Sequence, residues 1–261
     1  MMHKYKAKRA HALQTKQNAH TRCKLNAHPF FKHGVKRKKK QMDAFHFETL
    51  LQVLPLLNDE ESFRNFPSTP LLFLCKELSK LTSMLSPPLY FAARDIKSKI
   101  KIVEDNLVLV QQATGRAPHP TQGYPLRLII QNEMGTDATN NSSLPSVTRT
   151  LMRLVWFLDF TCVLCSKISR DVDKTLQTCV GEAYELCLSP YHKPLVRVSV
   201  QLALYACPSR ETFCRNLGLD DESNHTTTKS LQMLMVLSQN LRQPVDTMWK
   251  FFRENNIVQL Q

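Results

Sequence analysis

Glycine is scarce in this chain, at six of 261 residues. None stands in GxGxxG or GxxxxGK[ST] spacing, so neither the dinucleotide cradle nor the phosphate-wrapping loop of nucleotide enzymes is present. GxSxG and HExxH are missing too. His192 could serve as a general base, but no serine or cysteine nucleophile is recognisably paired with it, so an enzyme is the least expected class. No run of about 18 apolar residues occurs, which leaves no candidate for a membrane-spanning helix. Acidic residues are absent from positions 1–41, where thirteen lysines and arginines stand. The rest of the chain carries 22 basic and 22 acidic side chains, so the formal charge of +13 belongs to one end.

The eight cysteines follow no disulfide-framework spacing, and no signal peptide precedes them. They read as reduced thiols, most of them small core residues of a cytosolic protein. Cys162 and Cys165 form a CxxC, but a second ligand pair at zinc spacing is missing. Helix packing is therefore expected there, with no metal and no cofactor. The sequons at Asn140, Asn141 and Asn224 would matter only in a secreted protein.

Residues 1–41 end in Val35–Lys40 (VKRKKK) and hold too few large apolar side chains to bury a core, so disorder is expected. Such a cluster suits nuclear import, nucleic acid or anionic lipid; a solvated tail, or an upstream extension of the reading frame, is the plain alternative. Met42 opens MDAFHFETLL, a plausible start, and residues 42–261 form the expected folded domain. Aromatic interleaving suited to base stacking is largely missing from that body, which disfavours a nucleic-acid partner.

From Asp43 onward the apolar period is helical. Phe45, Phe47, Leu50, Leu51 and Leu54 recur at threes and fours, with Pro55 near the end. Leu71–Leu85, Leu89–Gln111 and the short Leu126–Glu133 follow, then Pro145 to Ile168, Asp173–Leu188 and Lys193–Ala206. Thr227–Leu241 and Val245–Asn255 read as a final pair broken at Pro244. Leu195–Leu202 and Ile100–Val110 alternate like strands, but their length and context favour helix. The fold class is all-α.

The stretch Pro145–Phe160 (PSVTRTLMRLVWFLDF) organises the rest. Arg149 and Arg153 stand four apart, on one helical face that Trp156 and Phe160 continue. The opposite side, with Leu151, Leu154, Val155 and Leu158, is apolar as well, and a helix hydrophobic nearly all round is normally buried. Burying guanidinium there costs several kcal/mol in order of magnitude unless an anion compensates it. A phosphate suits two planar forks. Arginines at the helix entrance, paired with surface carboxylates or solvated, are the other reading of the same spacing.

Three segments resemble one family in order. Arg94–Glu104 (RDIKSKIKIVE) is similar to the Asp-containing helix of the glycolipid transfer protein superfamily, in particular its ceramide-1-phosphate transfer branch, where Lys follows Asp by four. Thr148–Leu154 (TRTLMRL) resembles that branch's double-Arg helix, and glycolipid-binding members carry a sugar-stacking Trp where Arg153 stands. Ala183–Phe213 resembles the family's AY…YH…R…P-R-x-x-F segment and places His192 on its ligand histidine. The chain departs from the family at His192-Lys193-Pro194, where His-Pro-Trp is usual, and at Trp156, where a basic residue is familiar.

The resemblance covers about residues 43–261 and implies a two-layer helical sandwich that carries a phosphosphingolipid, ceramide-1-phosphate foremost, between membranes. Lys99, Arg149 and Arg153 would hold the phosphate, Asp95 would accept from the amide N–H, and His192 would donate to the amide oxygen. Apolar helix faces would sheathe the chains at about 0.8 kcal/mol per buried CH₂. The implied protein is a cytosolic monomer that touches membranes transiently, with Phe30–Phe31 or Trp249, Phe251 and Phe252 as contacts. A lipid sensor that does not transfer, and a nuclear protein acting through its basic tail, are the rivals.

Overall fold

A computed structural model describes residues 45–136, 139, 145–217 and 226–259. The expectations for the basic tail, for Phe30–Phe31 and for the sequons at Asn140, Asn141 and Asn224 lie outside these residues. Nine helices of more than one turn organise what is described: α1 (Phe47–Asn58), α2 (Ser68–Leu85), α3 (Tyr90–Thr114), α4 (Leu126–Gly135), α5 (Val147–Arg170), α6 (Leu176–Cys187), α7 (Pro194–Leu204), α8 (Arg210–Asn216) and α9 (Thr226–Glu254). Among the described residues no strand forms, and both alternating segments are helical. The helix α2 packs on both α1 and α3, and α5 packs on both α6 and α9. Contacts of α3 with α5 and of α1 with α9 join the two groups into the expected helical sandwich.

The organising helix is α5, buried on nearly every side as its composition requires. Leu151, Val155 and Ile168 are fully enclosed, each burial contributing about 1.5–3 kcal/mol. Its N-terminus is capped twice. Ser146 Oγ accepts from the Arg149 backbone N–H at 3.2 Å, and the buried Glu133 carboxylate of α4 lies behind it. That carboxylate accepts from Ser146 Oγ at 2.8 Å, Val147 N at 3.0 Å and both Thr148 N and Thr148 Oγ1 at 2.8 Å. A negative charge suits the positive end of the helix dipole. At the other end the buried Arg210 of the P-S-R-x-x-F segment donates to the carbonyls of Ile168, Asp171 and Lys174. Its guanidinium thus ties up carbonyls that the end of α5 and the turn after it leave open.

The final helix corrects the sequence reading. Instead of two helices broken at Pro244, α9 runs unbroken from Thr226 to Glu254. Leu234, Leu237, Leu241, Val245, Met248 and Phe252 are all buried, and their spacing of three and four continues in phase through the proline. A proline inside a helix costs about 3 kcal/mol. Packing six large side chains against the core outweighs that. The cysteines behave as core residues: those described are unpaired, and all but the half-buried Cys207 are buried. Burial pushes the Cys162 and Cys165 thiols up, away from reactive thiolate.

Candidate functional site

Between α3, α5, α6 and α7 lies a cavity of about 380 Å³. Leu85, Leu89, Ile96, Phe157, Phe160, Val180, Leu188 and Val200 make its apolar wall. Asp95, Lys99, Arg153, His192 and Lys193 also line it, so three cations face one carboxylate. The local charge is positive in a largely apolar surrounding, which suits an anionic group attached to hydrocarbon.

Four of the five residues singled out in the sequence meet here. Asp95 and Lys99 lie one turn apart on α3, and Lys99 Nζ donates to Asp95 Oδ2 at 2.5 Å. The Asp95 side chain is 60% exposed and Lys99 only 15%, so the lysine stem lies in the wall while the carboxylate faces outward. Arg153 is exposed on α5 and has no hydrogen bond or ion pair among the described residues. His192 reaches the cavity from the turn before α7, where Tyr184 Oη lies 3.0 Å from its Nδ1. Burial holds its imidazole below the ordinary pKa, with Asp95 opposing that effect more weakly, so the ring is neutral at pH 7.

Arg149 lies outside the cavity lining. It is half-buried, and its Nε donates to the Thr139 carbonyl at 2.8 Å. Neither arginine is therefore a bare buried cation: one bonds to backbone, and the other stands at the cavity with its fork open.

Three further groups at the site are not among the residues singled out in the sequence. Trp156 stacks on Tyr191 with ring centroids 4.2 Å apart and planes 6° from parallel, and both line the cavity. Tyr184 fixes the imidazole, and Glu133 fixes the start of the arginine-bearing helix. The i+3 spacing of Trp156 from Arg153 was a usable signal. Glu133 gave none, because its partners lie across a loop. Behind the stack, Trp249 Nε1 donates to Asp159 Oδ2 at 3.1 Å, and Arg242 Nη1 donates to Asp159 Oδ1 at 3.0 Å.

The family model described as Glycolipid transfer protein matches residues 66–219, which takes in the whole of this cavity. The chain belongs to the glycolipid transfer protein family. Among its relatives, Glycolipid transfer protein 2 of Arabidopsis thaliana is 22% identical over 202 residues, covering 77% of this chain and 86% of that one. The ceramide-1-phosphate transfer protein of Danio rerio is 28% identical over 151 residues, covering 57% and 69%. The human ceramide-1-phosphate transfer protein, solved with 12:0 ceramide-1-phosphate, superposes with a TM-score of 0.65 at 18% identity, covering 82% of this chain and 98% of that one.

The surface beside the cavity corrects a further expectation of the sequence reading. Trp249, Phe251 and Phe252 cannot meet a membrane from where they stand, since they are buried at 8%, 5% and 0% exposure. Their aromatic bulk fills the core between α9 and its neighbours. Exposed apolar side chains stand instead on elements that line the cavity, among them Leu195, Val198 and Leu202 on α7, Tyr205 just after it, and Tyr90 and Phe91 at the start of α3. Phe91 also lines the cavity.

Proposed function

We propose that this protein carries a phosphosphingolipid, ceramide-1-phosphate foremost, between membranes. The observation that carries the reading is Arg153: a guanidinium without a partner among the described residues, placed with Lys99 on a cavity whose walls are otherwise mostly apolar. Arg153 and Lys99 hold the phosphate by charge-assisted hydrogen bonds, Lys99 turning from Asp95 toward the stronger anion. Arg149, one turn earlier on α5, adds positive potential and steadies the helix start. Asp95, once released, accepts from the amide N–H. Tyr184 donating to Nδ1 leaves the proton of a neutral His192 on Nε2, which donates to the amide oxygen. The relatives named for glycolipid and ceramide-1-phosphate transfer support this assignment.

Carriage calls for no reaction and no cofactor at this site. It does call for a transient seat on a bilayer. The exposed face of α7, together with Tyr90 and Phe91, supports that role because it is apolar and adjoins the cavity. No described helix is long and apolar enough to cross a membrane. The lipid-binding domain is assigned to residues 42–261, with the basic segment before it adding attraction to anionic surfaces.

Vesicle-to-vesicle transfer of fluorescent lipids tests the reading. Ceramide-1-phosphate should move faster than glucosylceramide. The reverse order would overturn the phosphate assignment, and tight binding without transfer would make the protein a lipid sensor.

A further inference from the structure

Among the described residues, two buried side-chain polar atoms lack any hydrogen-bond partner: Asn106 Oδ1 and Trp156 Nε1. The Asn106 amide is half satisfied, its Nδ2 donating to the Ile102 carbonyl at 2.7 Å. The Trp156 indole has only one polar atom, and it is unpaired. The chain's other tryptophan, Trp249, gives its N–H to Asp159. Burying a donor without an acceptor costs stability, whereas a phenylalanine of similar shape would not.

The surroundings show where the acceptor comes from. Trp156 is 8% exposed and belongs to the cavity wall, one turn after Arg153 on the same face of α5. Its close, parallel stack on Tyr191 fixes the ring plane and stops the indole from swinging to a distant partner. The N–H is closed to water, so solvent does not relieve it. No described side chain supplies an acceptor, which leaves a ligand seated in this cavity beside Arg153 to do so once the ring edge shifts slightly.

We infer that the Trp156 N–H donates to a phosphate oxygen of the bound lipid and is a specificity-determining residue of the site. This rests on the phosphosphingolipid reading above. A neutral, directional donor sharpens the choice of a tetrahedral oxyanion without adding another cation.

Two tryptophans in the chain make the test direct. The uniformly ¹⁵N-labelled full-length protein should show two indole N–H signals, with Trp156→Phe removing one to assign it. Should that variant fail to fold, Trp249→Phe assigns the pair by elimination. Saturation with short-chain ceramide-1-phosphate should move the Trp156 proton downfield and leave the Trp249 proton nearly in place. Short-chain ceramide, which lacks phosphate, should not produce the shift. In Trp156→Phe the preference for ceramide-1-phosphate over ceramide should narrow by about tenfold, the scale of one hydrogen bond to a charged group. If calorimetry shows ceramide-1-phosphate bound while the Trp156 signal stays put, or ceramide moves it equally, the inference is wrong and the functional reading survives. No binding of ceramide-1-phosphate at all would remove both.

Discussion

Replacing Arg153 by leucine separates recognition from folding. Arg153 is exposed on α5 and makes no hydrogen bond or ion pair among the described residues. Leucine and arginine have nearly equal helix propensities, so the free energy of unfolding should change by no more than about 0.5 kcal/mol. The ligand side is different. A guanidinium that gives two N–H bonds to phosphate contributes about 1.5–3 kcal/mol, which converts to a roughly 10- to 150-fold loss of affinity. An arginine that is merely solvated would give almost nothing, since exposed charges are worth about 0–1 kcal/mol. The two accounts therefore differ by more than measurement error. Thermal melting by circular dichroism and transfer of fluorescent ceramide-1-phosphate would be measured on the same preparations. Arg153→Lys should fall between, keeping the charge but losing the fork. Transfer by Arg153→Leu within twofold of the wild type, with melting unchanged, would refute the phosphate role.

Asp95→Val should reduce binding of every sphingolipid by about tenfold or more, whatever its headgroup, because the amide loses its acceptor. Its melting temperature should barely move, as the lost i,i+4 pair with Lys99 contributes only about 0.3–0.5 kcal/mol. Glu133→Ala should do the opposite to stability: four donors at the start of α5 lose their acceptor, a cost of about 3 kcal/mol, or roughly 6–12 °C in a calorimetric melt. Glu133→Gln should lose less. His192 sets a pH dependence. Its folded pKa lies below the unfolded value of about 6.5, so the unfolded state binds more protons and His192's contribution to stability falls as pH drops below that value. Melting of wild type and His192→Gln across pH 5–8 should converge on the acid side; parallel curves would exclude the effect.

Much of the fold was legible because period and burial coincide. α5 reads as buried from its own residues, and it is. The candidate site was legible where an apolar helix carries an arginine, as with Arg153, and where a resemblance linked distant segments, as with Asp95, Lys99 and His192. Other features depend on what covers a face, which a pattern does not state. Trp249, Phe251 and Phe252 form an aromatic cluster near the chain's end, and only the packing of α9 shows them to be core. Pro244 looked like a break because the local cost of proline is visible in sequence and the compensating burial along α9 is not. Arg149 and Arg153 share a face, yet Arg149 gives its Nε to the Thr139 carbonyl and lies outside the cavity lining. Glu133 acts on two backbone N–H groups and two hydroxyls across a loop, a pairing that no sequence period marks.

Native mass spectrometry of the protein purified from cells identifies the lipid it carries. A phosphosphingolipid carrier should show a bound adduct whose mass and fragmentation identify one such lipid per chain, and should lose it when Arg153 is replaced by leucine. A phosphoglyceride, a neutral glycosphingolipid or no lipid in that spectrum would contradict it.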